Sequence, residues 1–500
     1  MNRTASPRAT PNKCLLLLIG LLAITSCGDS DSVATTAPPP PPNVVIFLVD
    51  TLRADWTGPG GFEKDVTPFL SELAKSSVVF EQANSAAPWT LPSVTSLFTG
   101  KHVAEHSVVH DHMQMADATV TFAQMLQEWG YQTASYHRNP YAGGKWGLQR
   151  GFDDSVLMAR QTGSAELADF FSSVGHLPFF LYVHNTEPHD PQHARRRFRQ
   201  AFNPVANEFL KRYADTVSQY RKSTRTDFTQ SEPLGTTDNS EKQASWMERL
   251  NEDRAKIENL YSVSVLDADD RIGSVIKSLR EKGHWDNTLF IMMADHGEEM
   301  GDHGGWQHDQ SVYQELIHVP LIIRFPHDEF AGQRISAPVS LVDIMPTILD
   351  AVNCPLEPPT ISGRSLMPLI RDGASFGDEM RVVSIRNNRK KYFKPHKESR
   401  GDLNIAVRKG HMKAIFNVEP NTLELYDLES DPGETQNLAE PRAAEAAEFA
   451  RFAARSYAEM LRRADQAKSN DPNQQSADVL KGLESLGYIG GDSTPEDASN

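Results

Sequence analysis

Val44-Val45-Ile46-Phe47-Leu48-Val49-Asp50 is an unbroken β-branched and aromatic run that stops on a carboxylate. A half-exposed strand alternates apolar and polar residues, whereas a strand covered on both faces does not, so this run predicts a central strand of a parallel sheet. Comparable runs recur: Phe179 to Val183 before His184, Leu289 to Met293 just before Asp295, and Leu321 to Ile323. Helical periods lie between them, Thr121-Phe122 with Met125-Leu126 closed by Gly130, and Ile257 to Leu279 closed by Gly283. A glycine there supplies the left-handed cap that ends a helix. The alternation predicts an α/β fold, in which ligands gather beyond the carboxyl ends of the strands.

Composition agrees with a globular chain. Of 500 residues 39% are hydrophobic and 23% charged, with 31 Gly, 31 Pro and 3 Cys, which excludes disordered, collagenous and disulfide-stapled classes. The formal charge of −16 argues against sequence-independent binding to nucleic acid, so no nucleic-acid partner is expected. An anionic substrate must be met by a local site.

The N-terminus reads as an export signal. Arg3, Arg8 and Lys13 flank an apolar run, Cys14 to Ile24, that falls short of the roughly 20 residues a spanning helix needs. Ile24-Thr25-Ser26-Cys27-Gly28 resembles the bacterial lipoprotein cleavage box, which implies a signal peptide over residues 1–26 and a lipid on Cys27; the alternative is an ordinary signal cleaved nearby. Both place the protein outside the cytoplasm, and the first makes it a membrane-anchored lipoprotein of the periplasm or cell surface. Loss of three cations and no carboxylate moves the charge from −16 to −19. Residues 27–42 end in five prolines and form a semi-rigid tether.

A catalytic domain is expected over 43–372, with a polar helical insertion at 192–243 that contains Arg195, Arg196, Arg197 and Arg199 and is given no catalytic role. Residues 373–500 shift to short strand-like segments, Asn404 to Val407 and Lys413 to Phe416, then an Ala-rich helical stretch from Ala443 to Arg463. They predict a small antiparallel α+β subdomain with a frayed tail.

Three clusters bear chemistry: Asp50 after the first strand, Thr90 in Pro88-Trp89-Thr90-Leu91-Pro92-Ser93, and Asp295-His296-Gly297-Glu298 after a later strand. Singly, each also reads as a cap or a surface turn. Together, Asp50, Asp295 and His296 supply two carboxylates and an imidazole, a set suited to zinc or manganese more than to calcium, in one or two ions. A helix starting at Thr90 would put its hydroxyl at the positive end of the helix dipole, where a metal ligand can also become a nucleophile.

These residues bring the chain to a family. Val49-Asp50-Thr51-Leu52-Arg53-Ala54-Asp55, the Thr90 segment through Thr99-Gly100, Asp295-His296-Gly297-Glu298-Glu299 with His303-Gly304, and Gly363-Arg364-Ser365-Leu366 resemble the sulfatase family of the alkaline phosphatase superfamily. So does Glu424-Leu425-Tyr426-Asp427-Leu428 with Asp431-Pro432-Gly433-Glu434. The resemblance runs from about Asn43 to Asn437 and implies an alkaline-phosphatase-like, mostly parallel sheet flanked by helices. It also implies hydrolysis of sulfate or phosphate esters. The family's nucleophile is a Cys or Ser oxidised to formylglycine, followed by x-Pro-x-Arg; Thr90 and Val94 depart from this, as does Thr51 where many sulfatases have a second Asp. The departures resemble a threonine-nucleophile branch, so no formylglycine is expected.

By the same resemblance His189 and His308 are candidates for a second metal or for the substrate's anionic oxygens. Lys145 in Gly144-Lys145-Trp146, His106 and His303 are weaker candidates for substrate contact. The expected substrate is an anionic ester of a glycan, lipid or small molecule. The alternatives are a phosphoryl or phosphoethanolamine-type transferase acting on envelope lipids or glycans, and a non-catalytic surface protein with a structural metal.

Overall fold

The computed structural model describes residues 40–462 and 468–469, apart from 111–112, 159–163, most of 190–246, 375, 377–378, 388–402 and 419–420. The signal, Cys27, nearly all of the tether and most of the polar insertion fall outside the described residues.

An eight-stranded sheet carries the site. Its strands are β1 (Asn43–Val49), β2 (Val78–Phe80), β3 (Gln132–His137), β4 (Asp154–Leu157), β5 (Phe179–Asn185), β6 (Thr288–Ala294), β7 (Leu321–Arg324) and β8 (Arg334–Ile335). The spatial order is β8-β2-β7-β6-β1-β5-β3-β4. β6, β1, β5, β3 and β4 are mutually parallel. β7 runs antiparallel to both β6 and β2. An apolar run buried on both faces looks the same in either direction, which is why the Leu321 segment gave no sign of its reversal.

Every residue of β1, β5 and β6 is buried, as the continuous runs predict. Full burial of each Val, Ile, Leu or Phe side chain stabilises the fold by about 1.5–3 kcal/mol, so these three strands form a rigid floor. Helices α1 (Pro68–Lys75), α2 (Thr90–Thr99), α3 (Phe122–Glu128) and α4 (Arg254–Glu281) follow or flank them. α2 is buried at all ten positions and ends at Gly100, whose φ of 63° only glycine adopts cheaply. Among the described residues no helix is long and apolar enough to cross a membrane.

The C-terminal part is a four-stranded antiparallel sheet, β9 (Arg381–Asn387), β10 (Leu403–Lys409), β11 (Met412–Asn417) and β12 (Thr422–Asp427), with helix α5 (Ala443–Arg462) packed on it. Within the insertion, Arg195 is tied to Asp267 at 2.6 Å and to Asp270 at 2.7 Å on α4, so this cation is spent on holding the insertion to its domain.

Candidate metal and nucleophile site

Strand register builds the site. β1 pairs with β6 from Asn43 opposite Thr288 to Val49 opposite Ala294, so the next residues, Asp50 and Asp295, leave the sheet side by side. β5 lies on the other flank of β1 and sets His184 opposite Leu48. β3 sets His137 opposite His184, and Asn139 follows two residues later. The carboxyl ends of four parallel strands thus converge, and α2 brings in Thr90 at its first residue.

The hydrogen bonds split each carboxylate into a spent oxygen and an open one. Asp50 Oδ2 accepts Asn139 Nδ2–H at 2.7 Å and His184 Nε2–H at 3.1 Å. Asp295 Oδ1 accepts the amides of Thr51 at 3.3 Å and His296 at 3.0 Å. Asp50 Oδ1 and Asp295 Oδ2 are buried without a hydrogen-bond partner among the described residues. Both lie 3.6 Å from His296 Nε2. His296 Nδ1 faces the Gly297 carbonyl at 2.9 Å and must donate to it, so Nε2 turns a lone pair toward the two open oxygens. Three acceptors thus face one another in the protein interior, a donor set that a cation would satisfy. Their ligand atoms lie within 4.8 Å of one another, which suits coordination of a single ion.

Charge follows the geometry. Asp50 is fully buried, which opposes ionisation, yet the charge of His189 and the hydrogen bond and charge of His184 hold its carboxyl below the usual range. Asp295 is pushed up to about 6, first by burial and then by the Asp50 charge. Two carboxylates so close resist joint ionisation, and a divalent ion would remove that penalty.

Thr90 Oγ1 stands 3.3 Å from His296 Nε2 and 3.1 Å from Asn139 Nδ2. Because Nε2 is an acceptor, the Thr90 hydroxyl donates to it. Ser85 and Ser93 hydroxyls donate to the Asp295 carbonyl, the latter at 2.7 Å, and fix the start of the loop that carries Asp295 and His296. Gly297 is required there, since a Cβ would meet the Glu315 carbonyl oxygen at 2.0 Å. Thr51 takes a φ of 57°, costly for a β-branched residue, and is pinned by a 2.6 Å bond from Tyr261 Oη to its carbonyl.

The other candidates separate. His308 lies with its ring centroid 4.6 Å from that of His296 and 5.0 Å from that of His189, and its Nδ1 is 3.0 Å from Glu298 Oε1. Both histidines therefore border the cluster of Asp50, Asp295 and His296. His106 is bonded through Nε2 to Ser96 Oγ at 3.0 Å and accepts the Val108 amide at Nδ1, a brace inside α2's surroundings. His303 pairs through Nδ1 with Glu315 at 2.7 Å and stacks on Tyr313 at 3.7 Å, which places it toward the C-terminal sheet. Lys145 Nζ lies 5.3 Å over the Trp146 ring.

Two site residues carry no sequence signal. Asn139 reads as an ordinary turn residue before Pro140, and His184 as a polar strand end; their partner Asp50 is 89 and 134 residues away. Tyr182 completes this second row through a 2.9 Å contact with His184 Nδ1.

Comparison with known proteins matches this architecture. The Sulfatase family model covers residues 42–354, and the model for the N-sulphoglucosamine sulphohydrolase C-terminal region covers 301–452. An N-acetylglucosamine-6-O-sulfatase of Bacteroides thetaiotaomicron is 24% identical over 94% of this chain and 93% of its own length. A phosphonate monoester hydrolase of Agrobacterium radiobacter superposes with a TM-score of 0.64 at 22% identity, over 86% of this chain and all of that one. A protein solved with its substrate D-glucosamine-2-N,6-O-disulfate gives 0.61 at 20% identity, over 87% of this chain and 100% of its own.

The cofactor expectation is corrected by these matches. It excluded formylglycine on the departure at Thr90, whereas the chain matches the Sulfatase family model and sulfatase relatives, a family that generally uses formylglycine with a divalent metal, so the exclusion does not stand. The zinc or manganese preference of two carboxylates and an imidazole is unaffected. Asp50, Asp295 and His296 together offer a donor set that could hold a divalent ion. With a family model spanning well over half of it and an alkaline-phosphatase-like fold beneath, the chain belongs to the sulfatase family and is a sulfuric ester hydrolase.

Proposed function

We propose that this protein is an exported hydrolase of anionic esters in which Thr90 attacks the central sulfur or phosphorus atom in line. The observation that carries the reading is the position of Thr90 Oγ1, 3.3 Å from His296 Nε2, beside the two open carboxylate oxygens and at the N-terminus of α2. A divalent ion held by Asp50, Asp295 and His296 would supply Lewis-acid polarisation of the ester and favour ionisation of the attacking hydroxyl.

The chain's own groups do the rest. The proton that Thr90 Oγ1 gives up balances the one the departing alcohol oxygen takes up, and the α2 dipole favours the negative charge that develops on Oγ1. The new bond forms between Oγ1 and the central atom as the bond to the alcohol oxygen breaks, and that oxygen takes up a proton. Water then releases the acid from Thr90. His189 and His308, with Glu298 orienting His308, supply positive charge opposite the substrate's remaining oxygens. In a chain of formal charge −16 this local complementarity is what admits an anion. A sulfated sugar is the favoured substrate class, since the Bacteroides relative is named for a 6-O-sulfated amino sugar. Export and lipid attachment at Cys27 belong to the same reading and would set the enzyme at a membrane surface.

A second reading, hydrolysis of phosphate or phosphonate esters, is favoured by the side chain at position 90: an ester on a Thr hydroxyl leaves by a second attack on the central atom, which phosphorus accepts readily. Turnover of matched aryl sulfate and aryl phosphate esters, after chelation and after return of single divalent metals, separates the two. Thr90→Ala should lower kcat by at least about 10³-fold on either ester while leaving the melting temperature intact. Full turnover in that variant overturns the mechanism.

A further inference from the structure

We propose that Asn139 is the residue that aims the Thr90 hydroxyl and ties it to the metal ligand Asp50; the inference rests on Thr90 being the nucleophile. Asn139 is fully buried and sits where β3 leaves the sheet. Its side chain does two separate things. Oδ1 accepts the Tyr141 amide at 3.0 Å and caps the turn Pro140–Ala142. Nδ2 spends its two hydrogens on Asp50 Oδ2 at 2.7 Å and Thr90 Oγ1 at 3.1 Å.

The cap decides which way the amide faces. Reversing it would put the amide oxygen against the Asp50 carboxylate and the NH2 group against the Tyr141 N–H, two repulsive contacts in place of three bonds. The donor is therefore locked toward the site before any substrate arrives. Thr90 Oγ1 then accepts from Asn139 and lies 3.3 Å from His296 Nε2, so its position is set from two sides. As charge develops on Oγ1 the Asn139 bond becomes charge-assisted, which strengthens it at the point where it helps most. The same amide occupies Asp50 Oδ2, which leaves Oδ1 as the open oxygen. Tyr141 packs edge-on against Trp89 with ring centroids 5.5 Å apart, so the capped turn and the residue before Thr90 are held as one piece.

A residue that only capped a turn would affect stability and nothing else. Asn139→Asp keeps an acceptor for the Tyr141 amide and removes both donors, and Asn139→Ala removes the donors without adding charge. Both should lower kcat by about 10²-fold or more with KM within about threefold in folded, metal-loaded protein, and Asn139→Asp, which sets a second carboxylate against Asp50, should also lower the melting temperature. Adding Asn139→Ala to Thr90→Ala should lower the residual rate by far less than about 10²-fold, since only the bond to Asp50 Oδ2 is still there to lose. Wild-type kcat in both Asn139 variants, or a loss that merely tracks lost metal or lost folded protein, overturns the proposal. Turnover in Thr90→Ala instead overturns the nucleophile assignment, so the two failures are told apart.

Discussion

Two buried clusters of charge stand on either side of the segment from Ser311 to Ile317, and they are built in opposite ways. Asp50, Asp295 and His296 are fully buried, and among the described residues Asp50 Oδ1 and Asp295 Oδ2 have no hydrogen-bond partner. Lys413 and Glu434 are equally buried, yet they contact each other at 2.6 Å. Lys413 Nζ also donates to the Val312 carbonyl at 2.7 Å, and Glu434 Oε2 accepts the Gln314 amide at 2.6 Å. Burial pushes the Lys413 pKa down and the Glu434 pKa up, and in each case the partner's charge opposes the push. A cluster that closes on itself serves the fold, whereas one left negative with open oxygens is made for an ion from outside.

The comparison breaks most visibly at Asp295. Asp295→Asn should cost at least about 10³-fold in kcat with loss of bound metal, because one of three ligands and one of two charges go together. The metal-free variant should nonetheless be as stable as metal-free wild type, or more so, since a carboxyl held up to about 6 by burial and by Asp50 no longer has to ionise. Chelation should lower the melting temperature of the wild type and leave that of the variant unchanged. Equal melting temperatures for loaded and chelated wild type would remove the distinction between the clusters.

Lys413→Met makes the reverse test. Glu434 would be left charged, buried and unpaired, at a cost of about 3–5 kcal/mol in denaturant unfolding. Adding Glu434→Gln removes that charge while keeping an acceptor for the Gln314 amide, and most of the stability should return. A double variant as unstable as the single one would mean that the pair's charges are not what holds the C-terminal sheet to the segment at Ser311–Ile317.

The same contrast shows what the sequence could reveal. Asp50, Thr90, Asp295 and His296 were legible because strand ends and helix starts are local features and their order along the chain is distinctive. Asn139 was not, since it is a turn cap by every local sign and is one in fact; its second task exists only because β3 emerges near β1. His106 and His303 are the same residue type as His308, but the first braces Ser96 and the second pairs with Glu315, distinctions made by tertiary contacts alone. Lys413, in a strand-like Met412-Lys413-Ala414-Ile415, has the look of a solvated cation and is instead wholly buried. Charge in the core is invisible to periodicity when its partner is far away in sequence.

A third buried carboxylate sharpens the comparison by lying between the two cases. Asp269 on α4 accepts the Leu70 amide at 2.8 Å and the Phe69 amide at 2.9 Å, so it caps α1 from another helix, with both oxygens used. Burial pushes its pKa up to about 7, Asp270 and Asp65 adding to the shift and the two amides opposing it. A folded-state pKa above the unfolded value of about 4 means that the native state holds the proton more tightly. The associated stability is fully present below pH 4 and is lost as pH rises through 7. Asp269→Asn cannot titrate, so it should flatten this dependence, with a penalty at pH 5 of about 1 kcal/mol for the lost acceptor that shrinks by pH 7.5. Urea unfolding of both proteins at the two pH values measures it. A penalty that instead grows with pH would mean the two amides hold Asp269 ionised, so that hydrogen bonds alone can support a buried carboxylate, and the open oxygens of Asp50 and Asp295 would then be the whole of what marks their site for a metal.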